Sequence, residues 1–185
     1  RNLAPMPVLS VLIPAYNEAA TVYRLLESVH TAHLPEGVRR ELVIVNDAST
    51  DDTEAEIMRF RKDFPKAELQ YHLHSHNKGK GAALHTAIAA APGDYCIVQD
   101  ADLEYDPNEH TRLLEPVLSG HADVVYGSRF MGDRPHRILF FWHSIGNKFL
   151  TTLSNMFTNL NLTDMETCYK LVRTDMLQSL ELKEQ

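Results

Sequence analysis

Apolar and polar positions along the chain alternate in short β-rich runs, each ending on a polar turn that feeds a helical pattern. Val8–Ile13 predicts a first buried strand closed by Pro14. The loop Pro14–Glu18 follows, with Asn17 as candidate cap of a helix carrying Val22, Leu25, Leu26 and Val29 at helical spacing. Beyond the break at Pro35-Glu36-Gly37, Glu41–Val45 predicts a second strand, and the polar turn Asn46–Asp52 leads into a helix ending near Phe60. Leu69–His74 predicts a third, more exposed strand, and Asn77–Gly81 opens an Ala-rich helix over Ala82–Ala91. Tyr95–Val98 predicts a fourth strand, Asp106-Pro107 the start of a helix reaching about Leu118, and Asp123–Tyr126 a fifth strand. From Ile138 to about Leu160 apolar and polar residues interleave as an amphipathic helix or a pair of them. Packing across the sheet accounts for much of that apolar surface. The cluster Ile138–Trp142 beside basic residues also fits a membrane interface or a lipid tail.

Strands alternating with helices predict an α/β fold, a doubly wound and mostly parallel sheet with helices on both faces. In such sheets ligands bind beyond the carboxyl ends of the strands, at the switch point. The polar motifs all follow strands, so they converge on one rim.

At 185 residues the chain suits one domain, with residues 1–7 as a lead-in. A formal charge of −7 argues against a nucleic-acid partner. No apolar run approaches the roughly 18 residues of a membrane span. Cys96 and Cys168 lie far apart and read as free thiols of a reducing compartment.

Gln99–Glu104 contains Asp100, Asp102 and Glu104 at alternate positions, which on extended chain point the same way. All-oxygen ligands suit Mg2+ or Mn2+ holding phosphate oxygens; a chance Asp-x-Asp or a helix cap is the competing reading. Tyr16 and Glu18 offer stacking and hydrogen bonding to a base or sugar, or form an ordinary strand-to-helix turn. Asp47 could accept from a base or ribose, or belong to a cap cluster with Ser49, Thr50 and Asp51. Lys78-Gly79-Lys80-Gly81 puts two cations and flexible backbone before a helix N-terminus, which suits phosphate without P-loop or dinucleotide-fold spacing. His72, His74 and His76 alternate; a zinc site is conceivable, but a solvated strand face is the stronger reading. Arg129 ends the fifth strand as a surface ion pair or a phosphate clamp, Arg134, His136 and Arg137 add charge, and Lys170 could meet a diphosphate.

Six ordered motifs, Val11–Glu18, Val43–Asp47, Asn77–Gly81, Gln99–Glu104, Gly127–Arg129 and Asp164–Lys170, resemble family 2 glycosyltransferases of GT-A fold. Within that family the chain is similar to the branch of dolichol-phosphate mannose and polyprenyl-phosphate glucose synthases, from about Val8 to Arg173. The resemblance implies that Pro14, Tyr16, Glu18 and Asp47 hold base and ribose, with Lys78, Asp100 and Ala101 beside the nucleotide sugar. Asp100, Asp102 and Glu104 would bind Mg2+ or Mn2+, and Asp102, Arg129 and Lys170 would be the catalytic residues. Ser144 and Lys170 would approach the donor diphosphate, and Arg129 and Arg137 the acceptor phosphate. Residues 130–160 would form the acceptor loop and amphipathic helix. The implied reaction is inverting transfer of mannose or glucose from a UDP- or GDP-sugar to a polyprenyl phosphate, peripherally on the cytoplasmic face of a membrane. Relatives continue further, so a truncated C-terminal part and a membrane-anchoring segment or subunit outside this chain are expected. Rival readings are a family 2 transferase with a saccharide or protein acceptor, and a non-catalytic nucleotide-sugar-binding module.

Overall fold

The computed structural model of the protein describes residues 6–128 and 141–180, with side chains from Ile145 onward in the second segment. Its strands are β1 (Val8–Ala15), β2 (Arg39–Asn46), β3 (Leu69–Leu73), β4 (Tyr95–Val98), β5 (Val124–Tyr126) and β6 (Lys170–Arg173). Its helices are α1 (Val22–Thr31), α2 (Thr53–Asp63), α3 (Lys80–Ala90), α4 (His110–Leu118), α5 (Phe141–Thr158) and α6 (Thr174–Ser179). The strands form one sheet in the order β3-β2-β1-β4-β6-β5. β1 pairs in parallel with β2 and β4, and β2 with β3. The doubly wound, mostly parallel sheet expected from the alternation is therefore the one that forms.

Alternation along β1 explains the two layers. Leu9, Val11 and Ile13 face a cluster with Val22, Leu25, Leu26 and Val29 of α1, Ile57 and Phe60 of α2, and Leu113 and Leu114 of α4. Leu12 faces the other way, with Val43, Val45 and Cys96, onto Ala83, Ala87 and Ile88 of α3. The four apolar positions that predicted α1 are all fully buried. Asp106 caps the short turn before α4 as expected, accepting from the Asn108 amide at 3.0 Å.

Three expectations are corrected. Asn17 does not cap α1, which starts after Thr21; it lies in the left-handed region at φ +56°, and its Oδ1 accepts from the Thr50 amide at 2.9 Å. A sixth strand, β6, inserts antiparallel between β4 and β5 through the register Ile97↔Leu171 and Val125↔Leu171. The run at 138–160 yields one described helix, α5, and packing across the sheet does not cover its apolar side. Phe149, Met156 and Phe157 are 66%, 76% and 84% exposed, whereas the buried positions are Asn147 and Thr151. Asn147 donates to Asp164 at 2.8 Å, Thr151 receives the Met165 amide at 3.2 Å, and Asn155 bonds Leu162 in both directions. No described helix is long and apolar enough to cross a membrane.

The α3–β4 turn is pressed against β1. The Gly93 amide donates to Ser10 Oγ at 3.0 Å, and the Asp94 amide to the Val8 carbonyl at 2.8 Å. A Cβ at position 93 would lie 2.6 Å from Ser10 Oγ and 2.7 Å from the Val8 carbonyl oxygen. Because the second obstacle is sheet backbone, Gly93→Ala is expected to cost about 1–3 kcal/mol. Urea unfolding checks this; an unchanged midpoint would show that β1 gives way freely.

Candidate functional site

Strand order reverses at β1, whose successors β2 and β4 lie on opposite sides, so the loops leaving β1 and β4 splay apart at the carboxyl rim. There a cavity of about 250 Å3 opens. Pro14, Ala15, Tyr16 and Glu18 supply its β1 side, Asp47 the end of β2, Asn77, Gly79, Lys80 and Ala83 the entry to α3, and Asp100, Ala101 and Asp102 the loop after β4.

The first wall is stitched from two loops. The Asn17 amide donates to Ser49 Oγ at 3.0 Å, the Glu18 amide to Thr53 Oγ1 at 2.7 Å, and the Ala19 amide to Asp51 at 3.1 Å. Thr21 donates to the Glu18 carboxylate at 2.7 Å and so aims it, while the Tyr16 ring stays half-exposed at the mouth.

The second wall hangs on Asp47, a buried carboxylate. Its Oδ1 accepts from the Lys78 amide at 2.9 Å and its Oδ2 from the Gly79 amide at 2.8 Å. His74 Nδ1 lies 2.6 Å from the same Oδ1, and His74 Nε2 lies 2.9 Å from Thr86 Oγ1 on α3. Burial alone would raise the Asp47 pKa, but the Lys78 amide, His74 and the Gly79 amide outweigh it and hold the carboxyl below its ordinary value. The histidine triplet is therefore not one solvated face. His74 is buried on Asp47, His72 is half-buried with Nε2 lacking a hydrogen-bond partner among the described residues, and only His76 is exposed. No three His, Cys, Asp or Glu side chains gather as a cation cage among the described residues.

The third wall carries Asp100 and Asp102. Strand geometry ends at Val98, so alternation does not bring them together. A turn over Ala101 and Asp102 does; past it Leu103 lies at φ +62° and the Glu104 amide donates to Asp102 Oδ1 at 3.0 Å. Glu104, the third expected cation ligand, is exposed and does not line the cavity. Lys80 Nζ sits 2.7 Å from Asp100 Oδ1. Burial pulls the Lys80 pKa down, but the bond and charge of Asp100 win, so the amine stays an ammonium. Cys168 also meets Asp100; burial and that carboxylate push its thiol up.

Beneath the acidic turn lies a buried polar cluster. Gln99 Oε1 accepts from Tyr169 Oη at 2.7 Å and faces His110 Nε2 at 3.2 Å, while His110 Nδ1 has no partner among the described residues. The Tyr105 ring lies tilted against Tyr169 at 4.4 Å between centroids, and its hydroxyl receives the Cys168 amide at 3.1 Å.

Of the expected nucleotide residues, Pro14, Tyr16, Glu18, Asp47, Asp100 and Ala101 come together with Asp102 at the cavity. Lys78 contributes its amide to Asp47, and the cation that lines the cavity is Lys80. Lys170 opens β6 with Nζ 5.3 Å from the Tyr126 ring centroid and is not among the lining residues. Ser144 lies in α5, its side chain outside the described residues; Arg129 and Arg137 lie outside them altogether, as does Ile138–Phe140. His74 was missed because three alternating histidines carry no sign of which one is buried. The two lysines differ only by their place before or on α3.

Donor chemistry decides whether a divalent cation suits this site. Two carboxylates on one wall match the number a hard ion takes from protein when diphosphate oxygens complete its shell. The pair fits such an ion.

The family model described as Glycosyl transferase family 2 matches residues 10–180. The Haloferax volcanii low-salt glycan biosynthesis hexosyltransferase Agl6 is 30% identical over 176 residues, 95% of this chain and 40% of that relative. The Pyrococcus furiosus dolichol-phosphate mannosyltransferase is 30% identical over 122 residues, 66% of this chain and 33% of its own length. The chain thus spans well under half the length of these curated relatives. Among solved structures, a Pyrobaculum calidifontis mannosyltransferase in complex with GDP-Man and Mn2+ is 29% identical, with TM-score 0.51 over 58% of this chain and 32% of that one. Mycobacterium tuberculosis glucosyl-3-phosphoglycerate synthase, with Mn2+, UDP and phosphoglyceric acid, shares the fold at TM-score 0.69 and 23% identity over 94% of this chain and 58% of that one.

His110 ties this site to pH. Burial, with Arg40 adding to it, drives its pKa from 6.5 to about 3, so the folded protein holds it neutral. The unfolded chain takes up the proton below about 6.5. His110 therefore contributes stability that is complete above about 6.5 and is lost as pH falls toward 3. Wild type is expected to lose stability up to about 1.4 kcal/mol per pH unit faster than His110→Leu across that window. Urea unfolding at stepped pH checks this; parallel slopes would overturn it.

Proposed function

The chain belongs to glycosyltransferase family 2, and on that premise we propose that it transfers a hexose, mannose or glucose, from a nucleotide-diphosphate sugar to a polyprenyl phosphate at a membrane surface. The observation that carries this reading is the rim cavity. Its lining brings the Tyr16 ring and the Glu18 and Asp47 carboxylates together with the Lys80 ammonium, Asp100 and Asp102. Such a lining suits a ligand that carries both a base with its ribose and a diphosphate. The polyprenyl acceptor draws on the dolichol-phosphate mannosyltransferase relative and on the exposed apolar side of α5, which suits a lipid-bearing ligand.

In this reading Tyr16 stacks on the base, and the Asp47-tied loop at Lys78–Gly79 shapes the ribose side. Asp100 and Asp102 would hold Mg2+ or Mn2+; bound there, such an ion would supply positive charge against the departing diphosphate. Lys170 and Ser144 approach the diphosphate, and Arg129 and Arg137 hold the acceptor phosphate. A phosphate oxygen of the acceptor bonds to the anomeric carbon as the bond from that carbon to the diphosphate oxygen breaks, inverting its configuration. The acceptor is already anionic at neutral pH, so the chain needs no strong general base.

Calorimetric titration with UDP-glucose and GDP-mannose, each with Mn2+ and with chelator, tests the donor side. One donor is expected to bind only with the ion, and Asp102→Asn to weaken that binding by about 100-fold. Binding of neither donor, or full retention in Asp102→Asn, would overturn the assignment. Transfer to polyprenyl phosphate but not to free saccharides is the expected acceptor result.

A further inference from the structure

Lys80 is the first residue of α3, following Gly79 at φ +89°, and no acidic residue shares that first turn. A cation at a helix N-terminus opposes the helix dipole, so α3 gains nothing from an ammonium there. What holds it is Asp100, at 2.7 Å. The two partners differ in exposure: the Asp100 side chain is 13% exposed and the Lys80 side chain 54% exposed. The carboxylate is fixed in the wall, and the ammonium reaches it on a flexible stem from solvent. Both line the cavity with Asp102.

We propose that Lys80 is a resident counter-ion of the acidic turn, occupying Asp100 until a divalent cation arrives and then passing to the diphosphate of the donor. The proposal rests on the reading of Asp100 and Asp102 as cation ligands. An incoming ion and the ammonium compete for the same carboxylate oxygen, so the ion alone binds weakly. A diphosphate gives the displaced ammonium a new anion within reach of the same cavity. Ion and nucleotide therefore strengthen each other beyond their direct contact, and the strengthening is reciprocal. The device keeps the site from holding a cation without its substrate.

The test uses Mn2+ alone, followed by electron paramagnetic resonance, on wild type, Lys80→Gln and Lys80→Arg, with thermal melting to confirm the fold. Lys80→Gln is expected to bind Mn2+ about fivefold more tightly than wild type, the scale of one half-exposed ion pair, while Lys80→Arg keeps the weak binding. Repeating the titration with UDP and with GDP is expected to show Mn2+ tightening in wild type and a smaller tightening in Lys80→Gln. Equal or weaker Mn2+ binding in Lys80→Gln overturns the proposal, as does the absence of Mn2+ binding from every variant at millimolar ion. If neither nucleotide binds to wild type with Mn2+, the donor reading falls, and the Mn2+-alone comparison still decides the role of Lys80.

Discussion

A carboxylate withdrawn from water must be met by charge or by hydrogen bonds, and that requirement shapes the rim of this molecule. Asp47 stands where β2 runs out and is almost wholly enclosed. It is met by two backbone amides and His74. Those amides belong to Lys78 and Gly79, so satisfying one side chain folds the chain between β3 and α3 over the end of β2. The same bonds set where α3 begins. They bring its positive end, with Lys80 on its first turn, to the mouth of the cavity. The cavity exists because a buried charge needed partners.

Asp100 meets the same requirement by another route. Its cation partner among the described residues is a side chain, Lys80, more than half in solvent. Amides cannot leave a carboxylate without unfolding a loop, whereas an ammonium on four carbons can. One acid therefore builds the site and the other is left open to exchange. The acidic turn can afford this because its base is rigid. Gln99, Tyr169 and Tyr105 pack beneath it, with Tyr169 fully buried and its hydroxyl bonded to Gln99.

Local physics was readable from the sequence wherever one face of an element settles its fate. Val22, Leu25, Leu26 and Val29 could only be the inner stripe of a helix, and the near-continuous apolar run of β1 reads as a strand buried on both faces. The reading failed where a partner distant in sequence decides. β6 has four residues, and only its pairing with Ile97 and Val125 makes it a strand. His74 looks like its neighbours until Asp47 and Thr86 are placed around it. Asp100 and Asp102 do face one cavity, though a turn over Ala101 and Asp102 rather than strand alternation brings them there. The right residues were found for an incomplete geometric reason.

α5 shows why hydrophobic periodicity alone misleads here. An amphipathic helix on a sheet normally buries its apolar stripe, and α5 buries its polar one. Asn147, Thr151 and Asn155, spaced by four, form a ladder of hydrogen bonds to Leu162, Asp164 and Met165. That ladder holds the segment that leads directly through Thr167 and Tyr169 into β6, whose first residue is Lys170. The helix with the outward apolar face is thus bonded to the segment that runs on into β6. In a transferase with a lipid-linked acceptor, the acceptor side and the donor side would share one short covalent and hydrogen-bonded path, from Phe149 on one face of α5 to Cys168 against Asp100. Among the described side chains of α5, the Asn147 and Asn155 amides and the Thr151 hydroxyl carry its buried bonds, while Phe149, Met156 and Phe157 face outward, where the proposed lipid-linked acceptor would meet them.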